Sequence, residues 1–183
     1  GDLPPALFSP VFYNNVTDDY GWLINFRPFR LIRTKPDLIE GISFPQYVIT
    51  SGSFIPINVI DDIGLMREEL FIDFIDIEWC IRARSRGYEI VLFPNIVITH
   101  HLGDYSVSIM GNNYPIHTPL RMYYYFRNAM YLYRSPEIDW NWRFIDASRN
   151  IFRFLFYMLF VRNRRTYFKY IIKGYYHGII KKM

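Results

Sequence analysis

The stretch FIDFIDIEWCIRARSRGYEIVLFP, residues 71–94, constrains the fold more than any other part of the chain. Ile77, Cys80, Ile81 and Arg84 recur at i, i+3, i+4 and i+7, which predicts a helix over 77–86. Gly87 is a natural C-terminal cap for it. YEIVLFP then reads as a buried strand that Pro94 stops. Asp73, Asp76 and Glu78 stand in this stretch among Phe, Ile and Trp. Burying an unpaired carboxylate costs several kcal/mol, so acids in such a setting have partners or a task.

The surroundings follow from turn and cap signals. Residues 1–45, rich in Pro, Asn, Asp and Gly, read as loops and short strands without a long helix. QYVITSGSFIPINVIDDIG predicts a strand over 47–50, a Ser-Gly-Ser turn and a short helix near 56–63 that Gly64 ends. LMREELFIDFID is a connector. After Pro94, NIVITHHLGD reads as a second strand running into a loop. Thr118 as N-cap and Pro119 at the first helical position open a helix in HTPLRMYYYFRNAMYLYR. The last third predicts two amphipathic helices, roughly 140–161 and 164–180. No internal repeat or low-complexity segment interrupts this mixed α/β and then helical order.

A chain of 183 residues, 51% hydrophobic and 20% aromatic, is long and apolar enough for one domain with a real core, which excludes disorder. The lone Cys80 excludes an internal disulfide and any CxxC metal site. Nothing at the N-terminus reads as a signal peptide, and the opening Gly-Asp-Leu-Pro-Pro fits a piece of something longer. The net charge of +4 is unevenly placed: from Trp140 onward ten Arg and Lys residues face Asp146 alone. A basic, aromatic end points to an anionic surface, membrane or nucleic acid. No nucleic-acid-binding motif is recognisable, so nucleic acid is not an expected partner. The apolar run 151–161, broken by Arg153, is about half the ~20 residues that span a bilayer. It is expected to lie on a membrane rather than cross it.

For the three acids the residues alone leave two readings. Asp76 at the helix start caps free backbone N–H groups, or, walled by Phe74 and Trp79, serves as a general base. Glu78 precedes Arg82 by four residues, the favourable order for an ion pair. Asp73 tethers a turn or loop. Arg121 shares a helical face with Tyr125 and Asn128, and both it and Arg127 read equally as solvated charges. His100 and His101, adjacent at a strand end, read as exposed loop residues.

SGSF, GLMREELFIDFIDIEWCIRARSRGY, FPNIVITHHLGD and RMYYYFRNAMYLYR follow one another in an order that resembles the C-terminal half of family 2 glycosyltransferases, most closely the rhamnosyltransferase-like branch. The likeness covers roughly residues 5–135. Its most specific parts are the acidic helix start followed by W-C-x-R-A-x-x-x-G-Y and the pattern R-x-Y-Y-x-x-R-N. The resemblance implies the C-terminal part of a GT-A nucleotide-diphospho-sugar transferase fold over residues 1–135; residues 136–183 are expected, on their own composition, to form a basic, aromatic, membrane-associated helical tail. It makes Asp76 the catalytic base of an inverting transfer, with Asp73, Glu78 and Trp79 beside the acceptor. It makes Ser51 and Gly52 a turn that lets backbone approach the sugars, and aims Arg121 at a diphosphate. Tyr125, Arg127 and Asn128 join the substrate-binding set. His100, in H-x-L-G, would complete the coordination of Mg²⁺ or Mn²⁺.

The same resemblance calls for a D-x-D motif and an early βαβ region that bind the nucleotide, and the sequence contains neither. The expected role is therefore the acceptor and catalytic-base half of an enzyme that moves a sugar, with rhamnose from dTDP-rhamnose the first choice, from a nucleotide-diphospho-sugar donor to a glycan or lipid-linked acceptor. By itself that half should be a poor enzyme. Its expected place is the cytoplasmic face of the cell membrane, in polysaccharide synthesis. The alternative is a non-catalytic membrane-associated module that retains an acceptor cleft.

Overall fold

The structure, a computed structural model, describes residues 2–14, 19–100, 105–109 and 112–181. Ten residues, Pro5–Asn14 (β1), form the central strand, longer than the short pieces expected in this region. β1 runs antiparallel to the two-residue edge strand Asp19–Tyr20 (β2) and parallel to Glu89–His100 (β5). A separate hairpin pairs Leu23–Arg27 (β3) with Arg30–Thr34 (β4), and a second pairs Tyr105–Ile109 (β6) with Asn112–Ile116 (β7). The helices are Ile57–Ile63 (α1), Ile75–Ser85 (α2), Pro119–Leu132 (α3), Trp140–Phe160 (α4) and Arg164–Ile179 (α5). The fold is α/β with a mixed sheet.

Pro94 does not stop the strand. The ladder with β1 runs from Pro10 opposite Phe93 to Val11 opposite Val97, so Pro94, Asn95 and Ile96 form a bulge. Proline lacks an N–H to donate, and a bulge removes the need for one. The two strands expected on either side of Pro94 are therefore one. The strand expected over 47–50 is instead an extended segment tied by isolated bridges. Phe54 and Phe8 exchange backbone bonds of 2.8 and 2.9 Å, and Tyr47 bridges Ile24. Thr50, the last residue of that expected strand, gives its N–H to Asp76 rather than to a strand neighbour.

Of three apolar clusters, two meet around α2. On one flank Trp79, Cys80 and Ala83 pack with Ala6, Leu7 and Val11 of β1 and with Ile90 and Leu92 of β5. On the other, Ile77 and Ile81 meet Phe74, Ala129, Leu132 and Trp142. The buried surface of α2 is thus centred on Trp79, Cys80 and Ala83, one residue round from the stripe read in the sequence. The third cluster joins α3, α4 and α5 through Met122, Phe126, Tyr157, Tyr167 and Ile171. Gly174 makes the α3–α5 contact possible: a Cβ there would lie 2.4 Å from the Tyr123 carbonyl oxygen. The tail therefore packs on α3 through α5, while the start of α4 sits on the β3–β4 hairpin, where Asn141 donates to the Arg27 carbonyl at 2.9 Å. Of its expected apolar face, Phe156 joins the third cluster, while Phe152, Leu155, Leu159 and Phe160 stay exposed. Among the described residues no helix is long and apolar enough to cross a membrane.

Candidate active site

A cleft of about 650 Å³ opens where the 47–51 segment, the 71–77 loop and helix start, α3 and α4 converge. Asp73, Asp76, Arg121, Tyr125 and Ser51 line it, as do Tyr47, Trp142, Asp146 and Arg149. A hollow of about 600 Å³ around Phe29 and Trp140 contains none of the candidate site residues, whereas one of about 250 Å³ between Phe71 and Thr118 shares Arg121 with this cleft.

Asp76 lies inside the first turn of α2, and the N-cap is Phe74, with no side-chain cap bond. The capping role is thereby replaced by a longer-range one. The Asp76 Oδ1 accepts a hydrogen bond from the Thr50 N–H at 3.3 Å and a short one from the Thr50 hydroxyl. Among the described residues Oδ2 has no hydrogen-bond partner. Thr50 thus fixes the carboxylate through one oxygen and leaves the other to the cleft. Nothing in the local sequence pattern flagged Thr50, because the contact spans 26 residues.

The loop that precedes α2 is held in an unfavourable backbone conformation. Phe71, Asp73 and Phe74 have φ of 61°, 61° and 64°, a region that costs non-glycine residues on the order of 1–3 kcal/mol each. The clamps that offset this cost come from α3. Arg121 donates to Asp73 through Nε at 3.0 Å and Nη2 at 2.8 Å, a two-point pair. Asn128, fully buried, donates through Nδ2 to the carbonyls of Leu70 at 2.7 Å and Ile72 at 2.8 Å. Arg127, also buried, donates to the Glu69 carbonyl and to the Asn128 Oδ1. Arg127 is therefore not a solvated charge. The R-x-Y-Y-x-x-R-N helix shapes the acidic loop, with Arg121 and Tyr125 also facing the cleft.

Other expected site residues are placed away from it. Glu78 is buried and makes the predicted i,i+4 pair with Arg82 at 2.9 and 3.0 Å, with a further bond from Arg67 at 2.9 Å. Trp79 is buried, and its indole N–H donates to the Gly64 carbonyl at 2.9 Å. Gly52, at φ 72°, makes the expected turn, yet a Cβ there would lie 2.8 Å from the Ile98 Cδ1, so its open space is filled by packing. Ser51 next to it lines the cleft. His100 ends β5; its side chain and His101 lie outside the described residues. Among the described residues no group of three or more His, Cys, Asp or Glu could hold a metal ion. The described residues of this chain therefore do not by themselves fit Mg²⁺ or Mn²⁺.

The wall contributed by α4 was not read from the sequence as part of a site. Asp146 is buried beneath it, accepting from the Tyr133 hydroxyl at 2.7 Å and from Asn150 Nδ2 at 3.1 Å. Burial pushes its carboxyl above the ordinary range, against the pull of the Tyr133 bond and of Arg149 and Arg153. Burial likewise pushes the Tyr47 hydroxyl up to about 12, with the Arg149 charge opposing it, and raises Tyr125 strongly. The Arg153 guanidinium sits 4.0 Å from the Tyr125 ring centre. Cys80, deep in the core with its thiol pushed up to about 12 by burial, takes no part.

Over 132 residues the sequence is 39% identical to the dTDP-rhamnosyl transferase RfbF of Shigella flexneri. The match takes in 71% of this chain and 44% of that relative, so the chain spans less than half of the curated protein it matches. No family model matches the chain, and no solved structure matches it significantly. The chain is a homologue of a dTDP-rhamnosyl transferase, and that likeness supports assigning it, at the level of the family, to the family 2 glycosyltransferases.

Proposed function

We propose that this chain is the acceptor and catalytic-base part of an inverting glycosyltransferase that uses a nucleotide-diphospho-sugar donor, with dTDP-rhamnose the first candidate. The observation that carries the reading is Asp76, anchored by Thr50 through Oδ1 at the edge of a cleft whose acidic loop is clamped by Arg121 and Asn128. In this reading Oδ2 of Asp76 takes the proton from an acceptor hydroxyl. The freed oxygen forms a bond to the anomeric carbon as the bond from that carbon to the diphosphate breaks, and the nucleoside diphosphate leaves. One base and one displacement invert the centre. Asp73 and Arg121 hold the geometry of the loop, and Arg121 is the residue nearest in kind to a diphosphate ligand.

The acceptor in this proposal is a glycan or lipid-linked sugar presented at an anionic membrane surface. The exposed Phe152, Leu155, Leu159 and Phe160, next to Arg162, Arg164 and Arg165, support that placement. A divalent ion would need ligands beyond the described residues, and no step is assigned to one. The test is transfer by the full-length gene product, screened across nucleotide sugars with a lipid-linked glycan acceptor. Transfer from dTDP-rhamnose is the expected result. Turnover with no nucleotide sugar would overturn the assignment.

A further inference from the structure

We propose that Arg149, with the Tyr47 hydroxyl, forms a second anion-binding subsite in the cleft, built to take a phosphate group. Arg149 is half-buried, lines the cleft from α4, and among the described residues has no ion-pair partner. Its charge reaches Asp146 and it hydrogen-bonds the Tyr47 hydroxyl, but no carboxylate pairs with it directly, and a half-buried guanidinium so placed favours an anion. The other cations near the cleft are already engaged. Arg121 is held by Asp73, and Arg153 lies over Tyr125 while donating to Asn150 at 3.1 Å. Asp146, three residues earlier on the same helix, accepts from Tyr133 and Asn150 through Oδ2 and feels the Arg149 charge without an ion-pair contact to it. Tyr47 lies against Arg149 from the opposite wall and supplies a hydroxyl donor. A fork of N–H groups beside a hydroxyl is suited to a tetrahedral oxyanion.

Two sources could bring that phosphate: the donor nucleotide or a phosphate-linked lipid acceptor. The acceptor fits better on the position of the subsite. Within two turns beyond Arg149 the same helix exposes Ile151, Phe152 and Leu155, so the phosphate would lie between a sugar at Asp76 and a hydrocarbon chain at the apolar surface. The choice of acceptor rests on the proposed transferase reading; the anion subsite does not.

The test is equilibrium binding to the 183-residue chain of geranyl phosphate, with geraniol as phosphate-free control, and separately of dTDP. The intact chain should prefer geranyl phosphate to geraniol by roughly 10-fold or more, the scale of one charge-assisted pair. Arg149→Gln should bring the two within about twofold, and Arg149→Lys should restore part of the preference. Loss of dTDP affinity instead would keep the subsite and give it to the donor. A phosphate preference unchanged in a folded Arg149→Gln protein would overturn the proposal. Failure of the transferase reading would appear elsewhere, as absence of sugar transfer with phosphate binding intact.

Discussion

Replacing Glu78 with Gln should cost the fold about 3 kcal/mol while leaving ligand binding in the cleft intact. The carboxylate is 4% exposed and accepts three guanidinium bonds, two from Arg82 and one from Arg67. Arg82 is itself 7% exposed, and two of its three remaining N–H bonds point to the carbonyls of Ile63 at 2.6 Å and Leu65 at 3.0 Å. A Gln carbonyl could retain one of the three bonds, but its amide would face a guanidinium and the buried Arg82 would lose its counter-charge. Removing one partner of a buried pair costs about 3–5 kcal/mol. The lower end applies because the Arg67 side chain is 36% exposed and can turn to water. At roughly 2–4 °C per kcal/mol for a chain this long, the midpoint of thermal unfolding should fall by about 6–12 °C. Asp62→Asn, which touches the exposed Arg86 pair, serves as the control and should change stability by no more than ~0.5 kcal/mol. Calorimetry with a parallel geranyl phosphate titration checks both halves. A Glu78→Gln chain as stable as the parent, or one equally stable but unable to bind, would refute the structural assignment of Glu78.

Gly174→Leu should loosen α5 from α3, because even its Cβ would meet the Tyr123 carbonyl; loss of α5 protection in hydrogen exchange is the readout, and unchanged protection would contradict it. Burial raises the Asp146 carboxyl in the folded state, so the native chain holds this proton more tightly than the unfolded one. That contribution is full below the unfolded value and is lost as pH rises through the folded one. The stability of the parent relative to Asp146→Asn should therefore fall as pH rises above the ordinary carboxylate range, and a flat difference in denaturant titrations would refute the shift. Vesicles containing anionic lipid should sediment the chain, and salt should weaken this, with each base contributing about 1 kcal/mol near the surface. A chain that stays in the supernatant with anionic and neutral vesicles alike would remove the membrane placement.

Local signals were legible where backbone chemistry dictates the answer. Thr118 accepts from the Arg121 N–H at 3.3 Å and Pro119 opens α3, as the two residues imply. Gly64 and Gly87, at φ 88° and 84°, end α1 and α2 where expected. The Glu78–Arg82 pair followed from spacing alone. What failed depends on distant partners. Pro94 reads as a stop until β1 supplies a ladder that can skip three residues. Asp76 reads as a cap until Thr50 comes within reach, and a helix beginning at Phe74 in a left-handed conformation has no sequence signature. The α4 wall was hidden for the same reason: Trp142, Asp146 and Arg149 fit an amphipathic tail equally well, and only packing against α3 turns them toward the cleft.

The central claim is that the free oxygen of Asp76 takes the acceptor proton. Its most direct measurement is single-turnover sugar transfer by the full-length enzyme and its Asp76→Asn variant, alongside donor binding for each. General-base catalysis is worth roughly 10²–10⁴-fold, so the transfer rate should fall by that factor while donor affinity stays within about twofold. The isosteric amide keeps a carbonyl oxygen for Thr50, which protects the fold of the loop. A folded Asp76→Asn enzyme that transfers sugar at the parent rate would contradict the account.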